Sequence, residues 1–89
     1  MSSLDAILYV PDMFTCRQMK AARALLEWNQ QELAVQSGVS LPTIRRMELS
    51  PDRVGGRAKS IYAVLDAFEK AGIEFLNGDA PGVRLRKRE

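Results

Sequence analysis

Gln30-Gln31-Glu32-Leu33-Ala34-Val35-Gln36-Ser37-Gly38-Val39-Ser40-Leu41-Pro42-Thr43-Ile44-Arg45-Arg46-Met47-Glu48-Leu49 holds two short helical patterns separated by one glycine turn. Asn29 just upstream is a good helix cap, because its side-chain oxygen can accept a backbone N–H that the first turn leaves free. Glu32, three places on, also favours the positive end of the helix dipole. The spacing predicts a helix over Gln30 to Gln36. Gly38 can take the left-handed conformation that closes that helix and turns the chain in few residues. Ser40 then caps a second helix reaching Leu49, with Pro42 in its first turn, where a missing N–H costs little. Ala34 is small where the helices cross, and Leu33, Val39, Ile44 and Met47 bury the contact. Two helices joined so tightly hold the second at a steep angle to the first.

Upstream, Thr15-Cys16-Arg17-Gln18 has the spacing of a capping box. Met19, Ala22, Leu25 and Leu26 recur at helical intervals, which predicts an amphipathic helix to Glu27 or Trp28. Residues 1–14 form an arm whose β-formers Ile7, Leu8, Tyr9 and Val10 end at Pro11-Asp12, a candidate strand followed by a break. Downstream, Ser50 to Gly56 carries the Pro and Gly punctuation of a loop. A fourth helix is predicted from Ala58 to Ala71, with Ile61, Val64, Leu65 and Phe68 as its inner stripe and Gly72 as its closing glycine. Ile73 to Leu76 and Val83 to Arg86 alternate with period two around Asn77-Gly78-Asp79-Ala80-Pro81-Gly82, the pattern of a hairpin. The predicted fold is mainly α: four helices, a small C-terminal β-hairpin and a candidate N-terminal strand. It divides into an arm (1–14), a helical domain (15–72) and a C-terminal hairpin with a basic tail (73–89).

At 89 residues, 46% hydrophobic and 27% charged, the chain suits one modest globular core. There is no His and a single Cys, Cys16. An intrachain disulfide is thus impossible, and the commonest metal ligand and general base is missing. No Gly-rich phosphate loop, paired carboxylates or nucleophile beside a base can be found, so no enzyme, metal or cofactor is expected. No apolar run approaches membrane-spanning length, and a cytoplasmic location is expected. The formal charge of +2 implies little by itself, but its distribution is uneven. Arg45, Arg46, Arg53, Arg57 and Lys59 outnumber Glu48 and Asp52 between Pro42 and Ser60. Arg84, Arg86, Lys87 and Arg88 form a second cluster that reads equally as a solvated tail.

From Met13 to Glu48 the sequence resembles the lambda-repressor and Cro-like helix-turn-helix family, the XRE family of bacterial and phage transcriptional regulators. Glu27 departs from the glycine the family has before the second helix. The resemblance implies a four-helix lambda-repressor-like domain that binds double-stranded DNA, with the Ser40–Leu49 helix entering the major groove. It further implies that Gln30 meets a DNA phosphate and braces the recognition helix, that Ser40 caps that helix and also meets the DNA backbone, both setting register, that Leu41, Pro42, Thr43 and Arg46 face base edges, and that Arg23 pairs with Glu48. Arg reaching guanine O6 and N7 makes the commonest specific contact, which singles out Arg46. Arg45, Arg53, Arg57 and Lys59 are further phosphate candidates. A homodimer repressing at a near-palindromic operator is expected, with recognition helices about 34 Å apart. Ile7, Leu8, Tyr9 and Val10 of the arm and Ile73, Phe75, Val83 and Leu85 of the hairpin are its candidate interface. The rival reading is a DNA-binding antitoxin or an adaptor that serves chiefly to bind a protein partner.

Overall fold

Thr15 opens the first helix, α1 (Cys16–Leu26), through a reciprocal pair of hydrogen bonds. Its hydroxyl accepts the Gln18 N–H at 3.1 Å, and Gln18 Oε1 accepts the Thr15 N–H at 3.1 Å. The structure, a computed structural model, describes residues 14–76 and 81–86. The arm with Ile7, Leu8, Tyr9 and Val10, and the tail residues Lys87 and Arg88, lie outside the described residues.

α1 stops a residue or two sooner than its pattern suggests, because Glu27 turns left-handed at φ 58° and ψ 36°. It is the one non-glycine residue with positive φ among the described residues. An L-residue there crowds its Cβ against the backbone. Glu27→Gly should raise stability by about 0.5–1 kcal/mol, since part of the relief is lost to glycine's greater unfolded freedom. A thermal melt would check this, and a lower Tm would contradict it.

α2 (Gln30–Ser37) is capped by Asn29, whose side chain accepts the Glu32 N–H at 2.7 Å, and it closes at Gly38 with φ 75°. Ser40 caps α3 (Leu41–Leu49), and α4 (Ala58–Lys70) follows the loop. β1 (Ile73–Leu76) and β2 (Gly82–Leu85) pair antiparallel, with Ile73 opposite Leu85 and Phe75 opposite Val83. β2 begins one residue before the predicted strand, and Arg86 N–H still reaches Gly72 O at 2.8 Å. The chain is therefore mainly helical with a two-stranded hairpin.

Met19 and Ala22 of α1, Leu33 of α2, Ile44 and Met47 of α3, and Val64 and Phe68 of α4 are all buried in one core. An aromatic line binds the hairpin to it. Phe14 meets Phe75 edge-on at 5.1 Å, Phe75 meets Phe68 at 5.9 Å, and Phe68 stacks on Trp28 at 5.9 Å. Leu25, expected on the inner stripe of α1, is instead 42% exposed. The inward face is centred on Met19 and Leu26, which share one side of the helix, and Leu25 lies about 100° round from it.

Part of the expected interface is covered by the protomer itself. Ile73 is buried in the protomer's own core, and Phe75 and Val83 pack against that core, because strand alternation turns all three inward. Leu85 and Leu76 keep 38% of their surface exposed. Gln18 joins the hairpin to α1, its amide nitrogen donating to Leu76 O and Gly82 O at 3.1 Å each.

The loop after α3 is stitched to the start of α1. Cys16 N–H donates to Asp52 O at 2.8 Å and Val54 N–H to Phe14 O at 2.9 Å, with an antiparallel bridge between Thr15 and Arg53. The Cys16 thiol is buried and donates to Met47 O at 3.2 Å, so it serves the end of α3. Burial pushes its pKa up, which keeps it a thiol at neutral pH. Among the described residues no helix is long and apolar enough to cross a membrane, and no cluster of potential metal ligands occurs.

Candidate nucleic-acid interface

α3 is held on one side only. Ile44, Met47 and Glu48 point into the protein, at intervals of three and four that define one helical face. Pro42, Arg45, Arg46 and Leu49 lie on the opposite face and are exposed, while Leu41 and Thr43 are half-buried at its edges. The face directed outward thus combines two guanidinium groups with apolar side chains in the leading turn.

What holds the inward face is an ion pair. Glu48 is 5% exposed, and its carboxylate accepts two parallel hydrogen bonds from Arg23, Nε to Oε2 at 2.6 Å and Nη2 to Oε1 at 2.8 Å. Arg23 Nη1 also donates to Trp28 O at 3.1 Å, and Gln30 Nε2 donates to Glu48 Oε1 at 3.0 Å. The pairing that the family resemblance implied is therefore present, and it binds α1, the α1–α2 turn, α2 and α3 together. A forked guanidinium–carboxylate pair fixes angle as well as distance, so α3 cannot roll without breaking both bonds. Gln30 braces α3, as the resemblance implied, through an amide proton turned inward to Glu48.

At the leading end, Ser40 Oγ accepts the Thr43 N–H at 3.4 Å and donates to Thr43 Oγ1 at 2.9 Å. Arg46 Nη2 donates to the same Thr43 oxygen at 3.3 Å. A cleft of about 320 Å³ opens beside these groups, lined by Thr43, Arg46, Met47, Gly56, Arg57 and Ser60. Three residues expected at DNA, Thr43, Arg46 and Arg57, thus come together across the α3–α4 junction. Arg57, a cation, occupies the cap position at the positive end of the α4 dipole and has no side-chain cap bond. Both features favour an anion there.

Arg45, Arg53 and Lys59 are exposed but do not line the cleft. In the second basic cluster, Arg84 and Arg86 both pair with Glu74, at 2.7 Å and 3.2 Å. Exposed pairs of this kind contribute little stability, and the single carboxylate offsets one of the cluster's positive charges. Sequence reasoning missed the position of Leu49, 80% exposed at the far end of the outward face. It also gave Gln18 no role beyond the capping box, whereas three hydrogen bonds converge on it. The described residues form four helices and a hairpin, with one helix presented outward from its leading end. No protein-family model matches the chain, and no curated protein is significantly similar to it.

Proposed function

We propose that this protein is a sequence-specific double-stranded DNA-binding regulator of transcription, acting in the cytoplasm as a homodimer that represses at a near-palindromic operator. The observation that carries the reading is the one-sided burial of α3: Arg23 and Glu48 lock its inner face, leaving Pro42, Arg45 and Arg46 outward. A helix presented in this way fits a major groove about 12 Å wide. Arg46 donates to base edges, Leu41 and Pro42 offer apolar contact to thymine methyl groups, and Ser40, Arg45, Arg53, Arg57 and Lys59 meet phosphates. No enzymatic step belongs to the reading.

Two recognition helices reach successive major grooves only if two copies associate. With Ile73, Phe75 and Val83 turned into the protomer, the hairpin offers its strand edges and the exposed parts of Leu76 and Leu85 instead. The residues of the arm, Ile7 to Val10, are the second candidate for that contact.

Selection of bound sites from a random duplex library, with the purified protein alone, tests the reading. The expected product is a pair of inverted half-sites about 10 base pairs apart. Arg46→Ala should lose at least about fivefold in affinity and relax preference at one base pair. Arg57→Ala should instead weaken all sequences alike and make the salt dependence shallower by about one unit. Failure to enrich any sequence would overturn the reading, and enrichment that requires a second protein would favour the adaptor.

A further inference from the structure

Thr43 was expected to read a base directly, yet its oxygen is already engaged. Ser40 Oγ donates to it at 2.9 Å and Arg46 Nη2 at 3.3 Å. A hydroxyl oxygen has two lone pairs, and the Arg46 bond takes one of them. Ser40, Thr43 and Arg46 follow one another at intervals of three, so the three side chains line one face of the leading turn.

Arg46 is exposed, and an unrestrained arginine of that kind samples many rotamers. The bond to Thr43 selects those that lay the guanidinium back over the leading turn. It uses one N–H and leaves the remaining donors of the fork for a bidentate partner. Ser40, whose oxygen also caps α3 by accepting the Thr43 N–H at 3.4 Å, holds Thr43 in turn. We infer that Thr43 is a positioning residue, fixing the direction in which Arg46 presents its guanidinium and so setting the strength of the guanine preference at one base pair. The inference rests on the DNA-binding reading above and adds to it how selectivity at that base pair arises.

The test compares Thr43→Val, which keeps the branched shape and removes the oxygen, with Thr43→Ser, which keeps the oxygen and removes the methyl. Each is titrated, in full-length protein, against the selected operator, against operators changed at the Arg46 base pair, and against random duplex. Thr43→Val should melt as the unaltered protein does, because Ser40 still caps α3. It should lose about tenfold in discrimination at the Arg46 base pair alone. Thr43→Ser should restore that discrimination. Full discrimination by Thr43→Val would overturn the inference, as would a loss in Thr43→Ser, which would mean that the methyl touches the base. The unaltered protein separates the two levels. If it selects no sequence, the DNA-binding reading itself fails; if it selects an operator that Thr43→Val reads equally well, only the positioning role fails.

Discussion

Glu48→Ala is expected to lower Tm by roughly 12–40 °C and to weaken DNA binding at the same time. The size follows from what is left behind. Arg23 has only 19% of its side chain exposed and would keep a full charge with one backbone carbonyl, Trp28 O, as its remaining partner. Uncompensated buried charges of this kind cost about 3–5 kcal/mol. Gln30 would lose its acceptor too. The coupling to DNA arises because the lost bonds are those that stop α3 from rolling, so the outward face would no longer be presented at one angle. Replacing both partners with apolar residues, Arg23→Met with Glu48→Leu, should be far milder than the single change, because no charge remains to be buried. Melting curves of the three proteins check this. An unaltered Tm for Glu48→Ala would show that the pair does not hold the helix.

Gln18→Ala should come second in effect, at about 2–4 kcal/mol, although the residue carries no charge. It is 3% exposed, and three backbone groups depend on it: the N–H of Thr15 and the carbonyls of Leu76 and Gly82. The first loss frees an N–H at the start of α1, and the other two open the mouth of the hairpin where β1 hands over to β2. Gln18→Glu should be at least as damaging, since a carboxylate cannot donate and would face two carbonyl oxygens. Hydrogen exchange at the amides of β1 and β2 should accelerate in both variants more than exchange in α3 does. Melting within about 2 °C of the unaltered protein for both substitutions would contradict this role.

The order of elements was readable because each of the first three helices carries its own signals: Thr15 with Gln18, Asn29, Gly38, and Ser40 before Pro42. The inner stripes of α3 and α4 were equally plain, since Ile44 with Met47 and Ile61 with Val64 and Phe68 repeat at helical spacing. What escaped was set by contacts between distant residues. Leu25 and Leu26 are equivalent by pattern, and packing leaves Leu25 largely outside. The hairpin's alternation was visible, but not which face the protomer itself would cover, so Ile73, Phe75 and Val83 were expected at an interface rather than in the core. Glu27 in a left-handed conformation and Gln18 across two strands follow from tertiary geometry that no local propensity encodes. At the candidate interface, the residue types near Arg46 were legible, whereas the chain of bonds from Ser40 through Thr43 to Arg46 needed side-chain positions.

Amide chemical-shift mapping of the labelled protein against its selected duplex tests most directly whether α3 enters DNA by its leading turn. The largest changes should fall on Ser40, Leu41, Thr43, Arg45 and Arg46, with smaller ones at Arg57 to Lys59 and little at the buried Ile44 side of the core. Perturbations confined to the hairpin and tail while α3 stays unmoved, or no perturbation with any duplex, would contradict it.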